Sequence, residues 1–273
     1  MTMDTDDPVS RVVASVASSR KYSHLCPCTL NHIATWAWAR HPNLRTATKA
    51  AKRKLHQVYG SFIRETDILE AQRLVETIPF SLEQEETRSV CRQIMGLHAS
   101  TRERLSYLDR LYPALLDAID ASPQHVLDMA CGLHPLALPW MGLPPSTTYY
   151  ACDIDQRIVE TLNRFFERAG FRAKAECRDL LVGLPKVHAD LVFLMKVLPG
   201  LEQQERGGAS RVLGALDAEW VVLSMPGSTL SGREKGMYEY YGAMVSHLAD
   251  TTGRQMREFR FDNETFYLMR RVC

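Results

Sequence analysis

From Pro8 to Arg64 the chain has no aspartate or glutamate, yet it holds ten lysines and arginines there. Net charge over all 273 residues is only +1, so the imbalance is local. A surface that merely keeps a protein in solution mixes both signs. One sign sustained over this length suits the regular negative charges of a phosphate backbone. Long hydrophobic runs are missing as well: no apolar stretch approaches the roughly 18–20 residues needed to span a bilayer, which excludes a transmembrane helix. The leading MTMDTDDPVS is acidic and has no apolar core of a secretory signal, so a cytoplasmic protein with no membrane partner is expected. Cysteine is sparse: seven residues, at 26, 28, 91, 131, 152, 177 and 273, odd in number and scattered. Free thiols in a reducing compartment account for them better than disulfides do. Cys26-Pro-Cys28 has the form of half a zinc site, but no second cysteine pair at ligand spacing accompanies it, and no metal is expected. The chain also lacks a G-x-G-x-x-G run. That counts against a nicotinamide or flavin dinucleotide, whose pyrophosphate needs those glycines at a helix N-terminus.

Two segments carry the chemistry that is present, HVLDMACGLHP (125–135) and YYACDID (149–155). Each is a short apolar run ending in small or acidic residues, the pattern of a buried strand that delivers its carboxyl end to a ligand crevice. Ala130, Cys131 and Gly132 let a ligand lie close to the backbone, and Asp153 is placed to accept from two ribose hydroxyls. The pair implies a nucleoside-containing cofactor. S-adenosylmethionine has no phosphate and needs no glycine cradle; it needs an anchor for its carboxylate, an acid for its ribose and a slot for its adenine.

Along the first hundred residues, segments near 8–19, 28–40, 44–59, 66–78 and 83–97 have helical periodicity, with no alternating strand pattern between them. At about 100° per residue, Arg45, Lys49, Lys52 and Arg53 fall on one stripe of the third helix, with Ala51, Leu55 and Val58 roughly opposite. A basic face that pairs with the acids at 65–86 is the plainer alternative. HASTRER (98–104) opens a further helix in which Ser100 and Glu103 have the spacing of a capping box, and Pro113 is expected to bend it. From 125 onward strands (125–131, 148–154, 173–178, 189–196, 219–225) alternate with helices (134–141, 156–169, 200–216, 233–250). Residues 254–271 read as two strands turning at Asp262-Asn263. The expected fold is α/β: a class I, Rossmann-like methyltransferase sheet of five parallel strands with a C-terminal antiparallel hairpin (98–273), preceded by a basic helical domain (1–97).

Taken together, HASTRER (98–104), VLDMACGLHPLAL (126–138), CDID (152–155), FLMKVLP (193–199) and SGREKGM (231–237) resemble the aminoglycoside-resistance 16S rRNA methyltransferases, the Arm/Rmt group and its relatives in antibiotic-producing actinomycetes. SSRKYSHLCPCTL (18–30) and KLHQVYGSFI (54–63) extend the likeness to the N-terminus, so it covers nearly the whole chain in order. The resemblance implies methyl transfer from S-adenosylmethionine to N7 of guanine 1405 of 16S rRNA in the assembled 30S subunit, and hence aminoglycoside resistance. It implies that Arg104 pairs with the methionine carboxylate, with His98, Ala99 and Ser100 at the same end and Ala130 and Gly132 beneath it. Asp153 would take the ribose, Asp179 and Leu180 would bracket the adenine, and Phe62, Met195 and Gln204 would complete the wall. RNA contacts fall to Arg20, Lys21, Arg45, Lys49, Lys52, Arg53 and Lys54 in the helical domain, and to Lys196, Arg233, Lys235 and Met237 near the target base. Two positions depart from the family: Ser228 stands where a basic residue is common, and Tyr238 replaces an acid.

Guanine N7 carries an in-plane lone pair and attacks without first losing a proton, so no general base is nominated and catalysis is expected to be alignment. The protein is expected to act as a monomer. Three other readings remain at this stage: methylation of another rRNA nucleotide, methylation of a small metabolite, and a nonenzymatic ribosome-assembly factor that binds RNA. The acid-free basic region has little use in a metabolite enzyme, and an idle pocket has no physical need for Arg104, Asp153 and Asp179.

Overall fold

The computed structural model describes residues 7–59, 63–119, 122–227 and 237–272. Three helices open the chain: α1 (Pro8–Ala17), α2 (Pro27–Arg40) and α3 (Leu44–Tyr59). Proline begins the first two, where its missing N–H costs nothing. Asp7 caps α1 by accepting the Ser10 N–H at 2.9 Å, and the Asn43 side chain accepts from Arg45 N–H at the start of α3. These helices close a core of their own around Val12, Ile33, Ala37, Ala47 and Leu55.

Helices α4 (Glu65–Val75) and α5 (Glu85–Met95) behave differently. Ile68, Ala71, Val75, Cys91 and Ile94 enter the core that covers one face of the sheet, together with α7 (Leu108–Leu116). The short α6 (Ala99–Arg102) lies between α5 and α7. Its N-cap is His98, so Ser100 sits inside the helix and the expected capping box does not form. Pro113 lies within α7.

The sheet comprises β1 (His125–Met129), β2 (Thr148–Asp153), β3 (Ala173–Cys177), β4 (Ala189–Met195), β5 (Ala218–Pro226), β6 (Arg254–Phe261) and β7 (Glu264–Arg271), in the order β3-β2-β1-β4-β5-β7-β6. The first five run parallel; β7 pairs antiparallel with both β5 and β6, as the hairpin at Asp262-Asn263 requires. Alternation places successive side chains on opposite faces. In β4, Leu191, Phe193 and Met195 enter the core shared with α4 and α5, while Val192 and Leu194 enter the other. Helix α8 (Leu138–Met141) follows a 3-10 turn at His134–Ala137, and α9 (Gln156–Ala169) is capped by Asp155 and stopped by left-handed Gly170. Its Ile158, Leu162, Phe165 and Phe166 are buried, each contributing roughly 1.5–3 kcal/mol.

The single helix expected over 200–216 is two, α10 (Leu198–Gln204) and α11 (Gly208–Gly214), because Gly207 adopts φ +78 between them. Helix α12 (Met237–Thr251) follows β5, and the first part of the helix expected from 233 falls outside the described residues. Strand order reverses between β1 and β4, and their carboxyl ends open the crevice that such a switch point creates. No helix among the described residues is long and apolar enough to cross a membrane.

Candidate active site

The crevice at the switch point is lined by the ends of four strands and by the helical segment above them. Ala130, Cys131 and Gly132 come from the end of β1, Asp153 and Ile154 from β2, Arg178, Asp179 and Leu180 from β3, and Met195, Lys196 and Val197 from β4. Gly200, Leu201 and Gln204 on α10 close one side, with His98 and Ser100 at the far end. Thr29, Val58, Tyr59 and Ile63 descend from the N-terminal part of the chain. A cavity of about 150 Å³, open to solvent, lies between them.

Two residues that are not glycine hold left-handed backbone here, Ala130 at φ 49 and Lys196 at φ 59. Both stand where a strand turns out of the sheet, the kind of strain that accompanies a built site. Gly132, at φ +52, is needed for a second reason: a Cβ on it would lie 3.0 Å from the His98 ring. His98 is buried, and burial followed by the charges of Arg104, Arg102 and Lys196 lowers its pKa to about 4, so it is neutral near pH 7.

Asp153 ends β2 with both oxygens already accepting a backbone N–H: Oδ1 from Asp155 and Oδ2 from Gly132, each at 2.9 Å. Burial pushes its carboxyl up to about 6, against the lowering effect of those N–H groups. Asp179 accepts the Leu181 N–H at 2.9 Å and has His32 Nδ1 3.5 Å from Oδ2. Burial raises that carboxyl, but the His32 imidazole and the Leu181 N–H outweigh it and hold it below the usual range.

The N-terminal helices are fastened to this end of the sheet. Leu25 bridges Asp155, Cys26 N–H donates to the Ile154 carbonyl at 2.7 Å, and Gln156 N–H donates to the His24 carbonyl at 2.9 Å. Tyr59 Oη donates to the buried Asp155 carboxylate at 2.5 Å, and Arg157 holds the same carboxylate at 2.9 Å. Lys54 Nζ donates to the Gln204 carbonyl at 2.6 Å and stacks 4.3 Å over the Trp36 ring.

Of the expected cofactor residues, His98, Ser100, Ala130, Gly132, Asp153, Asp179, Leu180, Met195 and Gln204 line one crevice. Ala99 and Arg104 do not line it, and Phe62 lies outside the described residues. Arg104 is fully buried against Glu264. Lys196 is no free surface lysine: its ammonium contacts Glu103 and lies 3.4 Å from Glu264. On α3, Arg45, Lys49 and Arg53 are exposed and Lys52 is half-buried, whereas Lys54 faces α10. Arg20 pairs with Glu65, and Lys21 lies 2.9 Å from His56. Met237 begins α12, and the neighbouring Tyr238 donates to Glu258 at 2.8 Å with Arg260 over its ring. Arg233, Lys235 and Ser228 lie outside the described residues. Among the described residues no group of His, Cys, Asp or Glu is arranged to hold a metal ion. Tyr59, within KLHQVYGSFI, and Arg178, beside Asp179, line the crevice without a local sign of it in the sequence, and Glu264 has none for its place beside Arg104.

A parallel sheet with this switch point, an acid closing each of two strands and no phosphate cradle define a class I methyltransferase. The family model described as "Ribosomal RNA methyltransferase (FmrO)" matches residues 18–268, and the chain belongs to that family. A 16S rRNA (guanine(1405)-N(7))-methyltransferase of Frankia casuarinae is 36% identical over 270 residues, covering 97% of this chain and 95% of the relative. One from Serratia marcescens is 32% identical over 235 residues, covering 86% and 87%. The solved 16S rRNA methyltransferase RmtF in complex with S-adenosyl-L-homocysteine superposes with a TM-score of 0.85 at 31% identity, covering 98% of this chain and 99% of that one.

Proposed function

We propose that this chain transfers the methyl group of S-adenosylmethionine to N7 of guanine 1405 of 16S rRNA, in the assembled 30S subunit, and so confers aminoglycoside resistance. It would do so as a monomer in the cytoplasm, where its substrate is. The observation that carries the reading is that the crevice at the switch point is lined in part by Val58 and Tyr59, at the end of α3, the helix with the exposed basic stripe. Cofactor and RNA surfaces are thereby built on one element.

The crevice fits the cofactor. Each Asp153 oxygen has accepted one N–H and has a second lone pair for a ribose hydroxyl. Asp179 and Leu180 line the crevice and would take the adenine amino group and face, with Met195 and Gln204 on the wall. Ala130 and Gly132 give the methionine chain close access to backbone, with His98 and Ser100 lining the same crevice; the family resemblance adds Ala99 and Phe62. Arg104 keeps one buried guanidinium nitrogen, Nη1, with no hydrogen-bond partner in the protein, which suits an incoming carboxylate. When bound, the cofactor supplies an electrophilic methyl on a sulfonium sulfur.

The rest of the work is positional. N7 needs no deprotonation, and holding nucleophile and methyl in line can be worth roughly 7–11 kcal/mol. Extruding a base costs a few kcal/mol of stacking. Phosphate contacts from Arg45, Lys49, Lys52 and Arg53, helped by Arg20 and Lys21, would offset that over a folded RNA surface. Lys196, Arg233, Lys235 and Met237 would meet the target nucleotide. Within the helical region up to residue 97, α1–α3 would serve as the RNA grip around their own core, whereas α4 and α5 pack on the sheet. The test is transfer of labelled methyl to purified 30S subunits, 50S subunits and free 16S RNA. Incorporation confined to 30S is expected; equal labelling of free RNA would remove the demand for an assembled substrate.

A further inference from the structure

We propose that Glu264, on the C-terminal hairpin, is the positioning residue that sets the Arg104 guanidinium to receive a ligand carboxylate at the His98–Gly132 end of the crevice. The inference rests on the assignment of Arg104 made above.

Arg104 and Glu264 are 160 positions apart in sequence, and both side chains are wholly buried. Arg104 Nε donates to Oε2 at 3.0 Å and Nη2 donates to Oε1 at 2.6 Å, a bidentate fork that fixes the guanidinium plane. Ser224 Oγ lies 3.4 Å from Nη2. The fork consumes one edge of the guanidinium and leaves Nη1 buried with no partner in the protein. A buried unpaired donor of a charged group is costly, and it points to something the chain itself does not supply. Arg104 does not line the crevice, but its two partners reach a residue that does: Glu264 lies 3.4 Å from the Lys196 ammonium, and Ser224 Oγ accepts the Lys196 N–H at 3.0 Å.

The neighbouring cation is not available for the same task. The Lys196 ammonium contacts Glu103 and Glu264, so two positive and two negative side chains already balance. A zwitterionic amino-acid end would enter that balance without net cost in charge, and Nη1 is its free donor. Glu264 is itself held: the single Tyr107 Oη proton is shared between Asn263 Oδ1 at 3.2 Å and Glu264 Oε2 at 3.3 Å, while the ring stacks 4.8 Å from Phe261. Burial raises the Glu264 carboxyl, but Arg104 and then Lys196 outweigh it and hold it ionised.

The experiment compares two ligands by calorimetry. S-adenosylhomocysteine has the amino-acid end, and 5′-methylthioadenosine keeps the adenosine and thioether without it. Glu264→Gln should weaken S-adenosylhomocysteine by about tenfold or more, the size of one lost charge-assisted contact, and leave methylthioadenosine unchanged. Tyr107→Phe, which keeps both charges and the ring stacking, should produce a few-fold loss confined to the same ligand. It keeps the test alive where Glu264→Gln fails to fold. Equal losses for both ligands, or none for either, would make Glu264 a purely structural partner and overturn the proposal. Arg104→Gln separates the two assignments: if it retains the wild-type preference for S-adenosylhomocysteine, the Arg104 assignment itself is wrong.

Discussion

Asp153 is tied to Gly132: the carboxylate that closes β2 accepts the N–H of the residue that turns the chain out of β1, at 2.9 Å. One hydrogen bond therefore sets both the acid and the close-approach backbone of the crevice. With the Asp155 N–H on the other oxygen, the carboxylate has a fixed plane before any ligand arrives.

That arrangement makes cofactor binding pH-dependent. The Asp153 carboxyl is raised by burial to about 6, and its ionised form is the better acceptor for two hydroxyls. Affinity for S-adenosylhomocysteine should fall as pH drops through about 6 and be level above about 7. Stability runs the other way. The native carboxyl binds its proton more readily than the unfolded chain, so acidification from about 6 toward 3.8 relieves a cost of folding at this residue. Calorimetry across that range should show the step in wild type. Asp153→Asn should bind about tenfold more weakly and show no step there.

Gly132→Ala tests the cradle. It places a Cβ at positive φ and 3.0 Å from the His98 ring, and the expected destabilisation is about 1–3 kcal/mol, read by urea unfolding. Binding of S-adenosylhomocysteine should drop sharply in the protein that remains folded.

The basic stripe and the crevice should separate by mutation. Lys49→Glu with Arg53→Glu lies on exposed positions of α3 and should weaken 30S binding, flatten its salt dependence and spare cofactor binding. Lys54→Ala should do the reverse, because Lys54 spans to the Gln204 carbonyl beside the crevice. Filter binding to 30S subunits and calorimetry with S-adenosylhomocysteine read the two effects. Equal loss of both for the stripe variant would contradict this division.

Much of this was legible in the sequence because it is local. The apolar runs at 125–131 and 148–154 mark β1 and β2, and their terminal residues form the crevice floor. Asp179 and Leu180, which only the family resemblance singles out, follow the third strand and line the same crevice. What stayed hidden is what tertiary contact decides. Lys54 belongs by sequence to the basic run, and only the approach of α10 turns it inward. Ser100 and Glu103 have capping spacing, but the helix begins two residues too early for it. Helices α4 and α5 resemble the preceding three in pattern, yet their apolar faces fill the sheet's core. Glu264 sits in an ordinary strand, and nothing short of the folded hairpin brings it to Arg104.

The most direct measurement is chemical mapping of the modified base. 30S subunits are incubated with the purified protein and S-adenosylmethionine, and the 16S rRNA is cleaved selectively at 7-methylguanine. One new scission, at position 1405, is the predicted result. No scission, or one at another guanine, would contradict the assignment.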